Sequence, residues 1–183
     1  MCSTAALCMC VAMVGKNASA DLRSLVGSVM LVASNAHERV KIKSGNQVAS
    51  VADIIKHMDL NGFLKHVALH EYIICEEGCT EMVKTSTGHE EPASCLISRS
   101  LLAQCLSSHD SNEGVVAAVL TCNGHSVSIS SKQNEYSWFD SGPSFLMVGM
   151  NTTEFDEKLN EFVVGQCDVT VIYSICANQT PRS

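Results

Sequence analysis

A chain of 183 residues can close one sizeable core, and 46% apolar against 17% charged residues mark it as globular rather than disordered. The net charge of −7 and the lack of any basic run argue against a nucleic-acid surface. The longest apolar run, residues 2–14, is too short to span a bilayer.

In chain order, residues 3–14 have helical apolar character, with Ser3 or Thr4 placed to cap the helix. Residues 16–20 form a polar break. Residues 21–40 predict a second helix, with Leu22, Leu25, Val26, Val29, Met30 and Val32 at helical spacing and Asp21 in the first turn. Residues 41–47 read as a loop around Gly45. Ser50-Val51-Ala52-Asp53 resembles a capping box that opens a short helix to Met58. From His66 the period changes. Residues 66–75 and 80–85 read as strands, 87–92 as a polar loop, 96–106 as a helix and 107–114 as a loop. Residues 115–122, 125–129 and 135–140 predict three successive strands, with a polar turn at 131–134. A fourth strand follows at 144–148, where Leu146, Met147 and Val148 read as core. Residues 151–162 form an amphipathic helix capped by Asn151 or Thr152, and 168–176 close the chain as a β-branched strand. The pattern is one α+β domain over residues 1–177, with helices first and an antiparallel sheet after, and a frayed tail at 178–183.

Ten cysteines are spread irregularly, mostly inside apolar runs such as Leu7-Cys8-Met9-Cys10-Val11. A domain this rich in core needs no disulfide framework, so reduced core thiols of a cytoplasmic or nuclear protein are the simplest reading. Secretion is the alternative. The run 2–14 followed by Ala18-Ser19-Ala20 looks like a cleaved leader, yet no positive charge precedes it. Three Asn-x-Ser/Thr sites, at Asn17, Asn151 and Asn178, match the glycosylation pattern of a secreted chain, a pattern that is common by chance.

The chemistry concentrates in Gly124-His125-Ser126-Val127-Ser128-Ile129 and Tyr136-Ser137-Trp138-Phe139-Asp140-Ser141-Gly142. A His opens one strand of a hairpin and an Asp closes the other, so the two ends lie side by side. A His held by a carboxylate is the base half of a nucleophilic triad. The matching nucleophile is a Cys at a helix start, where thiolate is favoured. Cys2 is so placed, and Cys95, just before another predicted helix, is its competitor. The bland readings are a strand-end His125, a turn-forming Asp140 and a terminal Cys2. His66, His70, Cys75 and Cys79 offer four zinc donors. On a strand, however, residues four apart stand about 13 Å from each other, too far to share an ion. No metal or other cofactor is implied.

This arrangement resembles papain-like cysteine proteases that act on ubiquitin, most of all the domain at the N-terminus of the herpesvirus large tegument protein. Cys2-Ser3-Thr4-Ala5-Ala6-Leu7 looks like that family's nucleophile helix, and residues 119–129 leading into 136–141 look like its His-to-Asp region. The resemblance implies a papain-like fold with N-terminal helices packed on an antiparallel sheet. It implies a deubiquitinase with a triad of Cys2, His125 and Asp140, a ubiquitin or ubiquitin-like partner, and a viral protein in the cytoplasm or nucleus of a host cell. Two residues depart from the pattern. The family places a Gln before its Cys, and here that position is Met1, which implies a truncated or mis-started copy with weak turnover. The herpesvirus type carries its His two residues after the Asp, and here that residue is Gly142. His125 would supply the imidazole instead, as in the Josephin-like arrangement. Gly45-Asn46-Gln47-Val48-Ala49-Ser50 has the flavour of a second Cys motif, with inert Val48 at the nucleophile position. The alternatives are a catalytically degenerate relative that binds a ubiquitin-like partner, and a small secreted Cys-rich binding protein. The sequence leaves the oligomeric state open.

Overall fold

Strand β4 (Val116–Cys122) lies inside a six-stranded sheet of order β1-β8-β4-β5-β6-β7, in which every neighbouring pair is antiparallel. The other strands are β1 (Val67–Ile74), β5 (His125–Lys132), β6 (Glu135–Asp140), β7 (Phe145–Met150) and β8 (Cys167–Ser174). A separate two-stranded ladder pairs β2 (Val83–Lys84), inside the predicted strand 80–85, with β3 (Glu90–Glu91), where the sequence predicts a polar loop. Three helices complete the described architecture: α1 (Cys2–Gly15), α2 (Leu22–Ser44) and α3 (Thr152–Phe162). This computed structural model describes residues 2–15, 22–44, 51, 54, 55, 67–74, 83, 84, 90, 91, 106, 115–143, 145–165 and 167–174. Helix 96–106 (except Leu106), Cys95, the motif at 45–50, the caps Ser50 and Asp53, the zinc candidates other than His70, and the tail lie outside these residues.

The sheet has a helix layer on each face. Strand alternation sends Val116, Ala118 and Leu120 to one face and Ala117 and Val119 to the other. The first set joins Val127, Ile129, Tyr136, Trp138, Val169 and Val171 under α3, whose Phe155 and Leu159 are fully buried. The second set packs with Ala6, Leu7, Cys10 and Val40, beneath α1 and α2. Phe139 lies on this face too, against Ala5, Met9 and Met13 of α1 and Leu25, Val29 and Ala33 of α2.

Helix α1 is buried nearly all round, with Thr4 through Cys10 and Met13 inaccessible, as its unbroken apolar sequence requires. Its position between the sheet and α2 makes residues 2–14 structural core. Ser3 and Thr4 do not cap α1, which already begins at Cys2. Their hydroxyls reach other elements instead: Ser3 Oγ lies 2.8 Å from Ser126 Oγ, and Thr4 Oγ1 lies 3.3 Å from His37 Nδ1 of α2. The buried stripe of α2, Leu25, Val29, Ala33, Ala36 and Val40, ends at the predicted boundary, and the helix runs on to Ser44 with Ile42 exposed. Lys41 and Lys43 favour the negative end of its dipole. Val32, expected inside, is 54% exposed, since it falls off that stripe.

Two tight turns set the register around the site. Asn123 and Gly124 (φ 50° and 77°) join β4 to β5, and Gln133 and Asn134 (φ 51° and 64°) join β5 to β6. Left-handed angles at both central positions match the twist of a two-residue hairpin. The second turn is therefore shorter than the predicted 131–134, and β5 continues to Lys132, because Ser130 and Ser131 are buried ladder residues. Strand β7 also runs longer than predicted, with a register shift opposite residues 136–138 and Gly149 at φ 73°, the mark of a bulge. Of its apolar run, Leu146 and Met147 are half-buried and Val148 is exposed, so that run is only partly core. At the start of α3, the Asn151 side chain accepts from the Glu154 N–H at 3.0 Å, and the Glu154 carboxylate accepts from the Asn151 N–H at 2.9 Å. This reciprocal box selects Asn151 over Thr152 as the cap.

Candidate active site

The two-residue turn pairs Lys132 with Glu135, and the same count pairs Val127 with Asp140. His125 thus stands two residues beyond the strand pairing, diagonal to Asp140 and level with Gly142. His125, Val127 and Ile129 share one face of β5, and Tyr136, Trp138 and Asp140 share the same face of β6. The side chains meet there: His125 Nε2 lies 3.0 Å from each Asp140 carboxylate oxygen. The imidazole is 40% exposed and the carboxylate 20%, which leaves the ring open to solvent on one side.

Asp140 also accepts the Gly142 N–H at 2.9 Å on Oδ1. One carboxylate therefore shapes the turn after β6 and orients the imidazole, so the turn-forming and His-holding readings of Asp140 describe one arrangement. A Cβ built on Gly142 would stand 3.3 Å from Asp140 Oδ1 and 3.4 Å from His125 Cε1. The absence of a side chain at 142 is what lets the ring occupy this space. Phe162, at the end of α3, backs the ring with centroids 6.0 Å apart and meets Trp138 edge-on at 5.3 Å. With Nε2 donating to the carboxylate, Nδ1 is the nitrogen left to accept a proton.

Cys2 is the first residue of α1 and is half-buried. The first-turn N–H groups of a helix have no intrahelical acceptor and favour negative charge near them. Ser3 ties this helix start to β5: Ser126 Oγ, fully buried, lies 2.8 Å from both Ser3 Oγ and Thr121 Oγ1. The structure therefore joins His125 to Asp140 directly, and ties the residue after Cys2 to the residue after His125. Strand alternation turns Ser126 toward α1 and His125 toward α3. Cys8 and Cys10, one turn or more deeper in α1, are buried. Burial pushes the Cys8 thiol up to about 11 and raises Cys10 further, so neither is a thiolate near neutrality.

Sequence reasoning missed the Ser3–Ser126–Thr121 network and the contact of Phe162 with the ring. Its signal was the alternation Ser126, Ser128, Ser130, which reads as a solvated face. Those hydroxyl positions are in fact buried against α1, where small side chains permit close approach of the helix.

Among the described residues no three His, Cys, Asp or Glu side chains gather as a metal site, and no helix is long and apolar enough to cross a membrane. No known family profile and no curated protein matches the chain. The fold is α+β, with helices packed on an antiparallel sheet. The chain is similar to the crystal structure of the ubiquitin-specific protease encoded by a murine cytomegalovirus tegument protein, solved with a ubiquitin-based suicide substrate. The TM-score is 0.51 at 15% identity, over 99% of this chain and 81% of that one.

Proposed function

We propose that this chain is a cysteine-type peptidase of the deubiquitinase kind, acting on ubiquitin or a ubiquitin-like protein, with Cys2 as nucleophile, His125 as base and Asp140 as the group that orients the base. The observation that carries this reading is the paired contact of His125 Nε2 with both Asp140 oxygens at 3.0 Å, on a fold shared with a ubiquitin-specific protease. Asp140 holds the ring with Nδ1 free, and Nδ1 takes the thiol proton. The Cys2 sulfur attacks the scissile carbonyl. The free N–H groups at the start of α1 face the oxyanion that forms, and His125 then returns the proton to the departing amine. Location in the cytoplasm or nucleus of a host cell belongs to the same proposal.

A second reading, a relative that binds ubiquitin without cutting it, draws on the alternation that turns His125 toward α3 while α1 lies across the sheet. A ubiquitin probe with a C-terminal electrophile separates the two. The peptidase reading expects a covalent adduct mapped to Cys2, lost in Cys2→Ala and strongly slowed in His125→Ala and Asp140→Ala. Binding of ubiquitin with no adduct supports the second reading. An adduct on another thiol, or one indifferent to His125→Ala, overturns the triad.

A further inference from the structure

Cys122 ends β4 and Cys167 begins β8, and the register sets them directly opposite each other. Residues opposed in an antiparallel pair point to the same face, with Cα atoms about 4.5 to 5.5 Å apart. A disulfide spans Cα separations of about 4.4 to 6.8 Å, so both kinds of opposed pair fall inside its range. Both thiols are reduced, and both lie in the core beneath α3, with 4% and 0% of their surface exposed. The Cys122 thiol donates to the Val164 carbonyl at 3.2 Å.

We propose that Cys122 and Cys167 form a reversible disulfide across β4 and β8, with hydrogen peroxide as the oxidant. The site lies at a strand end rather than mid-sheet. The exposed turn at Asn123 and Gly124 follows Cys122, and Val164, three residues before Cys167, is 60% exposed. Local opening of this end admits a small peroxide without global unfolding. Cys122, the more accessible of the two, reacts first. Its sulfur attacks one peroxide oxygen, the O–O bond breaks, and the leaving hydroxide departs as water with the thiol proton. The Cys122 sulfenic acid is then attacked by the Cys167 sulfur. The S–O bond breaks, and the hydroxyl leaves as a second water with the Cys167 proton. Two thiols are oxidised by two electrons, and one peroxide is reduced to two waters.

The bond would fasten the strand beside the His125 hairpin to the strand beyond it, since β4 lies between β5 and β8 and Cys122 stands opposite His125 on one edge and Cys167 on the other. It requires no assumption about catalysis. The test is peptide mapping of the full chain after brief exposure to hydrogen peroxide, alkylation and digestion without reductant. The expected result is a cross-linked peptide pair containing Cys122 and Cys167, lighter by two hydrogens, with both sites lost from the alkylated pool and recovered after dithiothreitol. Cys167→Ser should instead leave Cys122 as a trappable sulfenic acid. Wild-type protein whose Cys122 bonds to a different cysteine, advances to sulfinic acid beside a free Cys167, or stays fully alkylatable overturns the proposal. Mapping on wild type alone decides it should the variant not fold.

Discussion

Ser126→Ala tests whether the hydroxyl network anchors the helix start to the sheet. Ser126 is fully buried and its Oγ meets two partners at 2.8 Å. Removing it orphans no atom of its own, and Ser3 and Thr121 are half-buried and can turn to water. The loss is therefore two ordinary hydrogen bonds rather than a full desolvation penalty, about 1–2 kcal/mol in total. Ser3→Ala removes one of the two and leaves the Thr121 bond in place, costing about 0.5–1 kcal/mol. Urea unfolding of both single variants and the double variant gives the coupling between them, expected at about 0.5–1 kcal/mol for side chains in direct contact. Electrophilic-probe labelling then reads position rather than stability. A shift of about 1 Å at a reacting atom costs on the order of 10²-fold in rate, so Ser126→Ala should slow labelling of Cys2 well beyond its effect on folding. Zero coupling, together with unchanged labelling, would refute the idea that this network positions the nucleophile.

Gly142→Ala brings a methyl to 3.3 Å from the Asp140 carboxylate and 3.4 Å from the His125 ring. We expect a displaced imidazole resonance by NMR and slower probe labelling, with stability changed by less than about 1 kcal/mol; an unmoved resonance would mean the turn gives way instead. Phe155→Ala removes a fully buried ring stacked on Tyr136 at 4.4 Å and should cost about 3–5 kcal/mol in denaturant unfolding. Because Cys8 is held above its ordinary value of 9.0, to about 11, the folded chain keeps a proton that the unfolded chain releases. Its contribution to stability is whole below pH 9 and lost as pH rises toward 11, so Cys8→Ala should flatten the alkaline fall of stability measured by urea titration.

The helix-then-sheet order, the strand around His125, the strand ending at Asp140 and a cap at Asn151 or Thr152 were all legible in the sequence. Each rests on a local rule: alternation, turn chemistry or a capping box. The length of β5 was not legible. Ser130, Ser131 and Lys132 look like a turn by composition, and only their ladder with β6 and their burial make them strand. Val32 and Ala36 show the same limit in α2, because which apolar residue faces inward depends on where α1 lies. At the site, the meeting of His125 and Asp140 followed from the hairpin. The Ser3–Ser126 bond spans 123 positions in the chain, and no local pattern encodes a contact of that range.

Helix α3 has a consequence for how steady the imidazole is. Eleven residues are too few for a helix to persist in water unaided, so α3 depends on its Asn151–Glu154 box and on Phe155 and Leu159. Its last residue, Phe162, is also the wall behind His125. Unwinding of the final turn would take that wall away while leaving the hairpin intact. The order of the ring is thus tied to a helix terminus, the part of any helix that melts first. Warming should broaden the motion of His125 before it disturbs the sheet that carries it.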